Sequence, residues 1–198
     1  MFTGIIHHQG IFKGYRQGKR EITIEAPLQI PSLGVGESVA LNGVCLSLTK
    51  REGNVLFFNL SQETLLKTTL GSLKIGEKLN LELPLTLQSP LSGHLVTGHI
   101  DGKGKILRIT DRNPGKRLTV FFSPELRPYL VLEGSVAVNG VSLTIAELGP
   151  SSFEVEIIPL TLEKSTLRGL KRGDGVNLEC DIIGKYVYNW LNQGKIRR

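Results

Sequence analysis

The chain has 198 residues and a formal charge of +6, with two cysteines, Cys45 and Cys180, that make neither a disulfide framework nor a metal-binding spacing. The excess cations gather in an early turn (Arg16, Lys19, Arg20) and at the end (Lys195, Arg197, Arg198), which reads as solvated surface and tail rather than a nucleic-acid footprint. Nothing resembles a signal peptide or an apolar stretch of about 18 residues, and the low cysteine use fits a reducing cytoplasm.

The opening MFTGII is apolar and reads as a strand tied into a sheet. Its pattern returns at Thr97-Gly98-His99-Ile100, which marks the start of a second half. Glu21 to Pro27 alternates and stops at proline, as a strand does, and Arg117 to Pro124 is its counterpart. Then comes a long repeat. Ser38 to Glu82 recurs without a gap as Ser135 to Glu179, 97 positions later. A tandem duplication of this kind must be recognised before any fold is assigned.

Within the repeat, Ser38 to Leu41 is a strand and Asn42-Gly43 is a two-residue turn, because both residues tolerate positive φ. Val44 to Thr49 returns, with Val44, Leu46 and Leu48 on one face and Cys45, Ser47 and Thr49 on the other. In a closed barrel the aliphatic face fills the interior, so Cys45 and Ser47 face outward, as Ser142 and Thr144 do in the second copy. Asn54 to Leu60 is a strand, Gln62 to Thr68 a short helix capped by Ser61, and Lys78 to Leu83 a last strand. About six short strands in each half indicate an all-β fold of two tandem barrels. The expected divisions are a first barrel over 1–90, a second over 91–184 and a tail over 185–198. In that tail Tyr186, Val187, Trp190 and Leu191 form a helical stripe of about two turns, too short to stand alone, so it calls for copies of itself in an oligomer.

The framework repeats while the outward polar positions diverge. Cys45 faces Ser142, Asn59 faces Glu156, and Ile5 lies opposite His99. Cys45 is either a small strand residue or a partly exposed thiol in a ligand pocket; nucleophilic use would need a partner that lowers its pKa. His99 is either a satisfied strand histidine or a base near neutral pH. His94 reads as structural, His7 and His8 as surface, and Asp181 as a surface or capping carboxylate. Cys45 and His99 fall in different halves, so the expectation is that one subunit joins them only with the other half of its neighbour.

MFTGI, NGVCLSLT, SGHLVTGHIDG, VNGVSLTI, IPLTLEKSTL and VNLECDIIGKYV, in this order over nearly the whole chain, resemble the riboflavin synthase family. The resemblance implies two six-stranded Greek-key barrels, a C-terminal helix and a homotrimer. It implies a metal-free and cofactor-free dismutation, in which two molecules of 6,7-dimethyl-8-ribityllumazine exchange four carbons to give riboflavin and 5-amino-6-(D-ribitylamino)uracil. The site would lie between the first barrel of one subunit and the second of the next, and lumazine synthase is a candidate partner.

Carried over by residue, the resemblance implies a catalytic set of Cys45, His99, Ser142, Thr144 and Asp181. His99 and Ser142 would handle a proton and Cys45 would assist or orient addition. Ser38, Leu46 and Ser47 would line the first-barrel site with Gly4, Ile5, Ile6, Asn59, Leu60, Ser61, Gln62, Glu63 and Thr64. Gly98, Ile100, Leu143, Ile157, Ile158, Pro159, Leu160, Thr161 and Leu162 would line the second-barrel site, with Glu133 reaching ligand from a neighbour. Three positions depart from the family pattern: Asn139 stands where Asp is common, Glu133 where Lys is usual, and Ser47 where Thr is usual. Asn139 cannot act as a base. The competing readings are a non-catalytic lumazine- or flavin-binding relative and an oligonucleotide-binding barrel. The latter lacks the exposed aromatic residues on which bases would stack.

Overall fold

The alternating strands close into two barrels in a computed structural model that describes residues 1–27, 30 and 33–192. The cationic tail residues Lys195, Arg197 and Arg198 lie outside the described residues. The first barrel comprises β1 (His8–Arg16), β2 (Glu21–Glu25), β3 (Ser38–Leu41), β4 (Val44–Glu52), β5 (Val55–Asn59) and β6 (Lys78–Glu82). Its order is β1-β2-β5-β4-β3-β6, with β6 pairing back onto β1. The second comprises β7 (Gly102–Asp111), β8 (Lys116–Phe121), β9 (Ser135–Val138), β10 (Val141–Leu148), β11 (Ser152–Ile157) and β12 (Gly175–Cys180), in the matching order. Short helices α1 (Gln62–Lys67) and α2 (Pro159–Lys164) precede the last strand of each barrel, and α3 (Ile182–Asn192) follows the second. All strand pairs are antiparallel, as Greek-key barrels require.

Local chemistry explains the repeat's geometry. Asn42 and Gly43 take φ of 45° and 80°, and Asn139 and Gly140 take 47° and 78°, so each hairpin turns in two left-handed residues that match the strand twist. Each barrel bends at the same bulges: between Leu48 and Lys50 and between Ile145 and Glu147, and again between Phe12 and Gly14 and between Ile106 and Arg108. Along β4 the side chains of Val44, Leu46 and Leu48 are buried, while Cys45 is half-buried and Ser47 exposed. Ser61 caps α1 as expected, its Oγ accepting from the Thr64 N–H at 3.0 Å.

The opening segment departs from expectation. MFTGII is not a barrel strand; it makes one bridge, Phe2 to Val96, and Gly4 at φ +76° breaks the extended run. The segment then crosses over, and Ile6 is part of the second barrel's core. The equivalent segment of the second half does the reverse, with Ile100 packed against the first core. Each half therefore lends its leading residues to the other.

The barrels meet across an approximate two-fold axis. A Cβ on Gly43 would lie 2.7 Å from the Gly140 N, and one on Gly140 as close to the Gly43 N, so the two turns touch only because both are glycine. Four buried asparagines bind the junction. Asn42 Oδ1 accepts from the Asn80 N–H and Asn139 Oδ1 from the Asn177 N–H, both at 2.8 Å. Asn80 Nδ2 donates to the Asn139 carbonyl and Asn177 Nδ2 to the Asn42 carbonyl, both at 2.9 Å. Asn80 Oδ1 accepts from the Thr166 N–H and Asn177 Oδ1 from the Thr69 N–H, both at 2.7 Å. Asn139 is thus a cross-brace of the fold. Buried amides satisfied in this way hold a unique arrangement, since breaking one leaves a desolvated group unpaired.

Helix α3 has 11 residues, about one turn more than the sequence stripe suggested, and buries none of them. Tyr186 and Trp190 are more than 70% exposed, and Ile183 and Leu191 are both 63% exposed. Its ties to the barrel are Tyr188 edge-on to Tyr129 and Lys185 paired with Asp101 at 2.6 Å. Among the described residues no helix is long and apolar enough to cross a membrane.

Candidate functional site

The exchanged segments build two unlike sites, the first of them at a cavity. On the first barrel, Cys45 projects outward from β4 and the crossing segment lies directly on it. The Cys45 N–H donates to the Gly98 carbonyl at 2.9 Å, and a side chain on Gly98 would collide with the Cys45 Cβ. Gly98 takes φ +83°, a conformation that L side chains rarely adopt. His99 follows, exposed at the rim of a cavity of about 330 Å³ that Cys45, Ser61, Glu63, Thr64, Lys67 and Ile100 also line. That volume lies at the low end of the range for small-molecule sites. Cys45 and His99 therefore meet within one chain. The expectation that only a neighbouring subunit could join them is corrected by the crossover.

On the second barrel, Ser142 occupies the place of Cys45. Its N–H donates to the Gly4 carbonyl at 2.8 Å, and a Cβ on Gly4 would lie 2.7 Å from the Ser142 Cβ. The Ser142 Oγ is 2.7 Å from Nδ1 of His94. His94 is 7% exposed, and its Nε2 is buried with no partner. Burial pushes its pKa below the ordinary value of 6.5, against a smaller upward pull from the Asp181 carboxylate. In the tautomer that carries its proton on Nε2, the neutral imidazole accepts from the Ser142 hydroxyl through Nδ1 and can take up a proton there. Sequence reading placed His94 among structural residues. The missed signal is that His94 precedes the repeated Thr-Gly element and so has no counterpart in the first half.

Two carboxylates tie the crossing segments down. Glu179 Oε1 accepts from the Thr97 N–H and Oγ1 at 2.6 and 2.7 Å, and Oε2 from the Gly98 N–H at 2.9 Å. Glu82 does the same for the first half, Oε1 accepting from the Thr3 N–H and Oγ1 at 2.7 and 2.8 Å and Oε2 from the Gly4 N–H at 3.1 Å. Burial raises the pKa of both glutamates, and these bonds oppose the rise. Only the second half adds another clasp: Asp101 Oδ2 accepts from the Cys180 N–H at 2.7 Å and pairs with Lys185. Cys180, beside it, is buried, and burial pushes its thiol up to about 12.

The expected site residues divide accordingly. Gly4, expected on the first barrel, lies against the second, while Ile5 lines a cavity with His8 and Glu82; Gly98, His99 and Ile100, expected on the second, lie on the first. The crossing of the leading segments is the reason. Leu46, Leu60, Leu143, Ile157 and Ile6 are core residues, because inward-pointing strand and cap positions bury them. Ser38 pairs with Ser47 on the first barrel and Thr144 with Ser135 on the second. Asn59 and Gln62 are exposed beside α1. On the second barrel Ile158 and Leu160, each 59% exposed, flank Pro159 at the start of α2, with Thr161 and Leu162 half-buried behind them. Asp181 sits at the entry to α3, accepting from the Ile183 N–H at 2.9 Å and lining a groove of about 310 Å³ with Ser135 and Val187. Glu133 occupies a left-handed turn at φ +62°, in the place of Gly36 in the first copy, and is exposed.

Comparison with known proteins follows the same two-fold plan. A family model described as the lumazine binding domain matches twice, over residues 3–84 and 97–181. A protein named riboflavin synthase from Actinobacillus pleuropneumoniae is 39% identical over 96% of this chain and 90% of its own. One of the same name from Bacillus subtilis is 35% identical over 98% of this chain and 91% of its own. A crystal structure of LumP complexed with riboflavin superposes with a TM-score of 0.83 at 26% identity, covering 91% of this chain and 99% of the other. LumP complexed with 6,7-dimethyl-8-(1'-D-ribityl) lumazine superposes with a TM-score of 0.79, also at 26% identity, covering 90% of this chain and 98% of the other.

Proposed function

The chain belongs to the riboflavin synthase family of lumazine-binding proteins, and from that premise we propose that it is a transferase converting two molecules of 6,7-dimethyl-8-ribityllumazine into riboflavin and 5-amino-6-(D-ribitylamino)uracil. The four carbons gained by one molecule are those lost by the other, so the reaction balances without an external oxidant or reductant. The observation that supports this best is the pair of unlike side-chain sites at matching places on like barrels, a thiol at a cavity on one and a hydroxyl bonded to a buried imidazole on the other. A dismutation asks two identical molecules to do different things, and this pairing offers them different surroundings.

In this reading a methyl proton of the lumazine on the second barrel passes to His94 through the Ser142 hydroxyl. A placed base of this kind contributes about 10²–10⁴-fold. On the first barrel, Cys45 and His99 assist addition to the other ring, with Thr64 and Ser61 as polar contacts at the cavity wall. Asp181 and Thr144 border the second site. The two rings stack when the first barrel of one subunit faces the second barrel of the next, and holding them so supplies about 7–11 kcal/mol of the barrier reduction. The unpartnered apolar stripe of α3 supports a homotrimer that brings these faces together. Two free thiols accord with a cytoplasmic enzyme, and lumazine synthase is a natural supplier of the substrate.

The test is incubation of the pure protein with 6,7-dimethyl-8-ribityllumazine while riboflavin absorbance is followed against a protein-free control. Catalytic riboflavin formation is expected. Tight binding without product would make the chain a lumazine carrier instead.

A further inference from the structure

We propose that Glu82 and Glu179 are positioning residues that act across the two barrels, each setting the outward site, Ser142 or Cys45, on the barrel to which it does not belong. The inference rests on the two-pocket reading above. Glu179 is the penultimate residue of β12 of the second barrel, yet its carboxylate holds Thr97 and Gly98, whose chain lies on Cys45 of the first. The path is continuous: Glu179 Oε2 accepts from the Gly98 N–H at 2.9 Å, and the Gly98 carbonyl accepts from the Cys45 N–H at 2.9 Å. Glu82 ends β6 of the first barrel and holds Thr3 and Gly4, and the Gly4 carbonyl accepts from the Ser142 N–H of the second at 2.8 Å. The threonine hydroxyls extend each clamp by one residue, Thr97 Oγ1 accepting from the His99 N–H at 3.3 Å and Thr3 Oγ1 from the Ile5 N–H at 3.1 Å.

The residue type matters. Each carboxylate meets three donors, two N–H groups and a hydroxyl, and a carboxylate only accepts. Glutamine would turn an NH₂ toward one of them, so a substitution of nearly the same shape still opens the clamp. Both glutamates are almost wholly buried, at 6% and 1% exposure, and neither lines the cavity at Cys45, although Glu82 borders a different one with Ile5 and His8. Their influence on a ligand must pass through the glycine that each one fixes.

The test compares Glu179→Gln with Glu82→Gln in the full chain, by two readouts. The first is the alkylation rate of Cys45 by iodoacetamide, with buried Cys180 as the unreactive internal reference. The second is the number of riboflavin molecules bound per chain, read by fluorescence quenching. Glu179→Gln is expected to change the Cys45 rate by roughly tenfold, the loss of a charge-assisted bond, and to weaken only the first-barrel ligand. Glu82→Gln is expected to leave the Cys45 rate unchanged and to weaken only the second. If either glutamine variant fails to fold, Thr97→Val and Thr3→Val remove one donor each and should show smaller changes with the same sidedness. Equal effects on both pockets, or an unchanged Cys45 rate in Glu179→Gln, would overturn the proposal. A wild-type chain that binds no riboflavin or lumazine while the Cys45 rates still divide as stated would instead sink the functional reading and leave the crossed control standing.

Discussion

The two sites occupy matching places on matching barrels, yet one holds a half-buried thiol beside an exposed imidazole and the other a hydroxyl bonded to a buried one. Their supports are shared: an outward position on the second hairpin strand, a glycine carbonyl accepting its N–H, and a buried glutamate behind that glycine. What differs is the histidine. His99 lies after the Thr-Gly element and stays at the surface, whereas His94 lies before it and is buried beside Ser142. Duplication supplied two equal frames, and a few polar residues made them chemically distinct. The lesson is that the framework of a repeat locates its sites, while the departures from the repeat identify their chemistry.

The comparison can be broken most severely at His94. His94→Gln should lower kcat by about 10²–10⁴-fold while leaving riboflavin bound at the first pocket, and steady-state kinetics with ligand titration checks both. The pH profile sharpens the point. Because burial holds His94 below 6.5, it stays neutral under mildly acidic conditions, so the acid limb of kcat assigned to it should lie below 6.5. Linkage gives the same sign for stability. The unfolded imidazole takes up a proton that the folded one resists, so the contribution of neutral His94 is present above 6.5 and falls as pH drops below it.

Next in size is Gly98→Ala, which combines collision with Cys45 and a φ of +83°. Overpacking of this sort costs about 1–3 kcal/mol, and the first pocket should lose its ligand while Gly4→Ala spares it and damages the second. Thermal melts with site-resolved binding distinguish the two. Asn139→Ala should cost about 1–3 kcal/mol of stability, the penalty for an unpaired buried donor, with kcat little changed, because Asn139 braces the barrels and touches neither pocket. The smallest effect should come from Lys185→Met. It removes the extra clasp found only behind the first pocket and should cost about 1 kcal/mol or less, read as a small fall in melting temperature that Glu or Asp at the same position would enlarge.

Much of this architecture was legible beforehand because it is local. The gapless repeat, the Asn-Gly turns and the alternation of Val44, Leu46 and Leu48 against Cys45 and Ser47 fix barrels, hairpins and outward faces. The crossing of Thr3–Ile6 and Thr97–Ile100 was not legible, since the same apolar residues could lie on either barrel. Because of that one ambiguity Gly98 and His99 were expected on the second barrel, and a second subunit was expected to join His99 to Cys45, whereas both line one cavity with Cys45. Asn139 looked like a departure at a reactive position, but its partners Asn80 and Asn177 are remote in sequence and appear only when the barrels face each other. His94 gave only the faint sign of lying outside the repeat, because its contact with Ser142, 48 residues away, is made only in the fold.

The central claim is that two unlike pockets on neighbouring chains make one reaction site, and subunit complementation tests it most directly. Gly98→Ala spoils only the first pocket and His94→Gln only the second. Co-expressed, the two variants form mixed oligomers in which an intact first barrel can face an intact second barrel of a neighbour. Riboflavin formation well above the sum of the two variants alone is the expected result. No gain, in mixtures shown by mass spectrometry to contain both chains in one oligomer, would contradict a site shared between subunits.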